Sequence, residues 1–69
     1  MKNTKNVRFL APVTIEGYDG DDDDSIERNF VKGEVVKARI TRETPHVFDM
    51  EIYGTCFYGV SKTEATLED

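Results

Sequence analysis

From Val7 onward apolar residues take every second position, Val7, Phe9, Ala11, Val13 and Ile15, with Arg8, Thr14 and Glu16 on the opposite parity. This period of two predicts a β-strand with one buried face. Pro12 falls on the outer parity and has no N–H, so the strand is expected at a sheet edge or bulged near its middle. A second strand is expected where Val36, Ala38 and Ile40 alternate with Val35, Lys37 and Arg39. A third has Phe48, Met50 and Ile52 on one face and Val47, Asp49 and Glu51 on the other. The segment Cys56 to Val60 reads as a fourth strand with two candidate faces, Cys56, Tyr58 and Val60 or Phe57 with Gly59. Its alternation does not choose between them.

Turn signals separate these runs. Phe30-Val31-Lys32-Gly33-Glu34 is a turn entering the second strand, with Gly33 supplying a backbone angle that other residues resist. Glu43-Thr44-Pro45 ends that strand, because proline breaks the ladder and restricts the residue before it. Tyr53-Gly54-Thr55 predicts a tight reversal. Ser61-Lys62-Thr63-Glu64 has the spacing of a capping box, which predicts one short helical turn before a brief final strand at Ala65 to Leu67. Residues 1–6 are polar, with Lys2 and Lys5, and are expected to form a flexible arm. Residues 7–69 are then one small domain. Short strands with turns between them predict an all-β barrel or two packed sheets. The expected core is Val7, Phe9, Val13, Ile15, Phe30, Val36, Ala38, Ile40, Phe48, Met50 and Ile52.

Charge adds one strong local feature. Residues 16–27 hold seven of the fourteen acidic residues and no basic one. The remainder has seven acids against nine bases, so the net charge of -5 belongs to this segment. A run of like charge repels itself and cannot enter a core, so residues 17–29 are expected to form an exposed loop facing a cation or a basic partner. Asp19, Asp21 and Asp23 have an alternating spacing that Glu27 could close around Ca²⁺ or Mg²⁺. Gly20 is misplaced for a calcium loop and no helices flank it, so no specific metal site and no cofactor are expected.

The order strand, long acidic loop, Phe30-Val31-Lys32-Gly33-Glu34-Val35-Val36, strand, short turn, strand, glycine turn, strand, helical turn and short strand resembles an SH3-like barrel. The resemblance covers about Val7 to Leu67. It implies a small five-stranded barrel, with a long acidic loop after the first strand and one helical turn near the C-terminus. It does not imply polyproline binding. That activity needs an aromatic groove. The chain has no Trp, places His46 and Val47 near where the groove tryptophan would stand, and has neither proline nor tyrosine from Gly59 to Ala65. A shared barrel supports many roles, so the site has to carry the function.

The residues expected to meet a partner are Tyr18, Asp19, Asp21, Asp22, Asp23, Asp24 and Glu27 of the acidic segment, with Tyr53 and Tyr58. A row of carboxylates facing Lys and Arg steers association and selects the partner; the competing expectation is a loop that only keeps the domain soluble. Tyr53, Phe57 and Tyr58 would make a contact surface if exposed, whereas Phe57 or Tyr58 would otherwise be core. Cys56 is the only cysteine and His46 the only histidine. Ten residues apart, they do not by themselves make a catalytic pair, and Cys56 is expected to be structural. No catalytic constellation is present, and enzyme activity is not expected. Lys2, Lys5, Arg8, Lys37 and Arg39 read as ordinary surface charge, so direct nucleic-acid binding is not expected either.

The resulting expectation is a non-enzymatic protein-binding module with a basic protein partner, an accessory or inhibitor protein of bacterial or phage type. The alternatives are a structural component of an assembly such as a virus particle, and a DNA-mimic inhibitor. Association between copies of the chain is left open. The lone cysteine points to a cytoplasmic, reducing setting, or to a virus particle, and no stretch is long and apolar enough to span a membrane.

Overall fold

A computed structural model describes residues 4–19 and 25–68. Its strands are β1 (Thr4–Phe9), β2 (Val13–Asp19), β3 (Ser25–Phe30), β4 (Val35–Glu43), β5 (Val47–Ile52), β6 (Thr55–Ser61) and β7 (Ala65–Glu68). All pair antiparallel in one sheet of order β3-β2-β6-β5-β4-β1-β7. The all-β class is as expected. The five-stranded barrel is not: among the described residues the sheet has seven strands and stays open, with β3 and β7 at its edges.

Two of the differences have local causes. The first alternating run is two strands, because Leu10 turns its N–H to the carbonyl of Glu64 at 2.8 Å and Pro12 has none to give. The parity survives the break. Val7 and Phe9 are buried, and Val13 and Ile15 pack against the core. The expected loop over residues 17–29 is mostly a hairpin, in which β2 pairs with β3 from Val13↔Phe30 to Tyr18↔Ser25. The expected partner residues Asp21, Asp22, Asp23 and Asp24 lie outside the described residues.

The expected helical turn is also replaced. Ser61 Oγ accepts from the Thr63 N–H at 3.2 Å, and the Glu64 N–H reaches the Ser61 carbonyl at 3.1 Å. That is a hydrogen-bonded turn, and the chain enters β7 at the next residue. Residues 4–6 of the expected arm are in β1, where Asn6 stands opposite both Lys37 and Glu68. The other turns agree with expectation. Gly33 has φ +88°, β4 ends at Glu43, and the β5–β6 reversal is Tyr53-Gly54.

One face of the curled sheet forms the core, and every expected core residue is buried or packed against it. Phe30 of β3 stacks on Phe9 of β1 with ring centroids 4.2 Å apart and meets Phe57 of β6 edge-on at 5.9 Å. The curl therefore brings the third, first and sixth strands around one aromatic cluster. Phe57, Val60, Ala65 and Leu67 complete the core beyond the expected set.

The two faces proposed for β6 turn out to be mixed. Met50 is opposite Phe57 and Phe48 is opposite Val60, so Tyr58 and Gly59 together face the single residue Asp49. This is a β-bulge, and Gly59 takes φ +70° within it. The extra residue resets the parity, so Phe57 and Val60 both point inward while Tyr58 points out.

Candidate functional site

Gly17 positions the site. It lies on the inward parity of β2, opposite Phe57 of β6. A Cβ there would come within 2.6 Å of Phe57 Cε1 and 2.9 Å of Thr55 Cγ2. Only the missing side chain lets the two strands pair so closely against a core ring. Its neighbour Tyr18, on the outer face, is thereby set opposite Cys56.

Next along that face is Tyr58. The Tyr18 and Tyr58 rings are tilted at 42° with centroids 6.1 Å apart. They remain 39% and 56% exposed, so the pair is a surface feature and not core. Phe57 is core. Glu16 accepts a hydrogen bond from the Tyr18 hydroxyl at 3.1 Å. That bond, then the carboxylate's charge, holds the Tyr18 phenol above its ordinary pKa. The Tyr58 phenol is also raised, first by its hydrogen bond with Cys56 and that group's charge, then by partial desolvation, Asp49 and Tyr18. Asp49 Oδ1 accepts the Gly59 N–H at 2.8 Å, satisfying an amide at the bulge.

Glu16 and Glu27 stand directly opposite each other across β2 and β3. Like charges at such a position destabilise a sheet, and a cation laid over them would relieve the repulsion. At the end of the sheet, Asp19 accepts a hydrogen bond from Thr55 Oγ1 at 3.0 Å. This ties the end of β2 to the start of β6, beside the β5–β6 turn. Tyr53 in that turn is fully exposed and has φ +49°. An aromatic residue rarely adopts that conformation.

Of the residues expected from sequence, the fold brings Tyr18 against Tyr58, sets Glu27 opposite the Glu16 that Tyr18 bonds, and ties Asp19 to Thr55, next to the turn that holds Tyr53. It separates Cys56 from His46. Cys56 is half-buried opposite Glu51, whereas His46 is exposed beside the far end of the β5–β6 hairpin, where Val47 meets Ser61. Among the described residues, they form no thiol–imidazole pair.

Sequence reasoning missed Gly17, Thr55 and Asp49. Gly17 did leave a signal, a glycine on the apolar parity of an alternating run, which marks close approach. Asp49 and Thr55 left none, since their roles depend on the bulge and on the β2–β6 register. No helix among the described residues is long and apolar enough to cross a membrane. Comparison with known proteins finds no family model, no curated protein and no solved structure that matches this chain.

Proposed function

We propose that this chain is a non-enzymatic protein-binding module that meets a basic partner through Tyr18, Tyr58, Tyr53 and the acidic hairpin. The observation that supports it is the exposed, mutually packed Tyr18–Tyr58 pair beside the facing carboxylates Glu16 and Glu27. Tyrosines supply contact area at low entropic cost, and the acids supply steering and selection. An SH3-like arrangement goes with this function. The strands β7, β1, β4, β5 and β6 run side by side, and the acidic hairpin is inserted after the first in chain order. Free Cys56 suits a cytoplasmic setting.

The test begins by identifying what copurifies with the native protein, then measuring its association with purified chain across a salt series. Replacing Asp21 to Asp24 with Asn should slow association and flatten its salt dependence. Tyr58→Ala should instead speed dissociation, weakening binding by about tenfold. Unchanged kinetics in both variants would retire the proposal. The open edges β3 and β7 support a second reading, a structural part of an assembly. It predicts many copies on one particle instead of a defined small complex.

A further inference from the structure

The ladder between β2 and β6 runs only from Asp19↔Thr55 to Gly17↔Phe57. Both strands continue past it. β2 stays paired with β3 back to Val13, and β6 stays paired with β5 on to Ser61. The bulge at Tyr58 and Gly59 lies where β6 leaves β2, and such a bulge bends its strand. A groove of about 330 Å³ opens between the diverging stretches. Val13, Ile15 and Val60 line it, residues that also belong to the core or pack against it. Glu16, Glu64, Tyr18 and Tyr58 line it as well, and among the described residues its lining includes two acids and no base.

We propose that this groove takes an extended basic segment of a partner protein, added as a strand along the free edge of β2 at Val13–Glu16. The basic character of that partner rests on the function proposed above; the mode of binding comes from the geometry. From Glu16 back to Val13, the backbone groups of β2 that face β6 have no ladder partner among the described residues, and such an edge is a template for another strand. Four residues give about 13 Å of pairing.

An added strand would alternate its side chains across the sheet as its neighbours do. Side chains of one parity fall on Val13, Ile15 and Val60, which favours small apolar or β-branched residues. Those of the other parity emerge beside Glu16 and the tyrosine rings, which favours Lys or Arg through charge and cation–π attraction. The chemistry recognised is therefore an alternation of apolar and basic residues. Nucleic acid is disfavoured, because its phosphates would meet Glu16 and Glu64. The groove beside the β7 edge lacks this selectivity, since Glu43 and Lys62 line it together and pair at 2.6 Å.

The experiment uses the full chain, isotopically labelled, titrated with a capped peptide that alternates valine with arginine and lysine. NMR should show amide shifts and slowed exchange at Val13–Glu16 and Tyr58–Ser61. The same peptide N-methylated at alternate amides cannot pair its backbone and should bind at least about tenfold more weakly. Glu16→Gln should weaken binding and reduce its salt dependence while leaving the fold intact, since Glu16 is exposed. Shifts confined to the acidic hairpin tip, or equal binding of the N-methylated peptide, would overturn strand addition while leaving a basic partner in place. Absence of peptide binding at the groove would overturn it too, and the proposed function would still be judged by its own partner kinetics. Concentration-dependent dimerisation that protects the same amides would identify a second copy as occupant and also overturn the proposal.

Discussion

Gly17→Ala probes both the core and the face built over it. The new methyl would lie 2.6 Å and 2.8 Å from Phe57 Cε1 and Cδ1, and 2.9 Å from Thr55 Cγ2. These are ring and side-chain atoms with little freedom to move. Phe57 is 2% exposed and held edge-on against Phe30, which is itself stacked on Phe9. Overpacking of this kind costs about 1–3 kcal/mol. Against it, alanine restricts the unfolded chain and returns about 0.4–1 kcal/mol. The clash wins, with a net loss of about 1–2 kcal/mol. For a domain of this size each kcal/mol moves Tm by about 4–8 °C, so thermal unfolding followed by circular dichroism should show a fall of about 5–15 °C. The same displacement should loosen the Tyr18–Tyr58 contact, read as weaker ring-to-ring nuclear Overhauser effects. Phe57→Leu gives the methyl room, so its effect and that of Gly17→Ala should be strongly non-additive. A variant with unchanged or higher Tm, or strict additivity with Phe57→Leu, would refute the close approach of β2 to this ring.

Tyr53→Asn places the favoured Asn-Gly pair in the β5–β6 turn and relieves a left-handed aromatic, so Tm should rise by a few degrees, for a gain of about 0.5–1 kcal/mol. A fall in Tm would show that the tyrosine supports its own turn. Met50→Ala opens a cavity at a fully buried site; urea titration should show a loss of about 2–5 kcal/mol, much of the stability available to so small a domain. The Glu43 and Glu68 carboxyls are held below their ordinary pKa chiefly by hydrogen bonds from Lys62 and Arg8. Because the folded state then binds fewer protons than the unfolded chain, both pairs stabilise fully above the ordinary carboxylate value of 4.5 and are lost as pH falls through the lowered folded values. Combining Glu43→Gln with Glu68→Gln should flatten the acid limb of a Tm-against-pH curve, and an unaltered limb would count against both pairs.

Strands β4 and β5 and the turns at Lys32-Gly33 and Tyr53-Gly54 were legible from residue order, because alternation and turn chemistry act within a few positions of the chain. The core was legible for the same reason, down to Val13 and Ile15, whose parity persisted across the break at Pro12. The exposure of Tyr53 and Tyr58 was left open by residue order and is a finding of the structure. The inward turn of both Phe57 and Val60 was not legible either. It comes from one extra residue in β6, and whether a bulge forms depends on how Met50 and Phe48 of the neighbouring strand meet it.

The pairing of residues 13–19 with 25–30 was hidden by the charge between them. Repulsion in the acidic run predicts exposure at the tip but says nothing about whether the flanking segments hydrogen-bond to each other. Barrel closure could not be read either, since it depends on whether the outermost strands meet, and here β3 and β7 remain edges. The sequence by itself determined the all-β class, the strands β4 and β5 and most of the residues they and their neighbours bury, since those are consequences of local period. Tertiary structure decided that Tyr18 and Tyr58, forty positions apart, share one surface. That contact needs β2 to lie against Phe57 where Gly17 has no side chain, and it needs β6 to bulge at Gly59. Both conditions belong to pairs of strands, so neither is carried by any single stretch of chain.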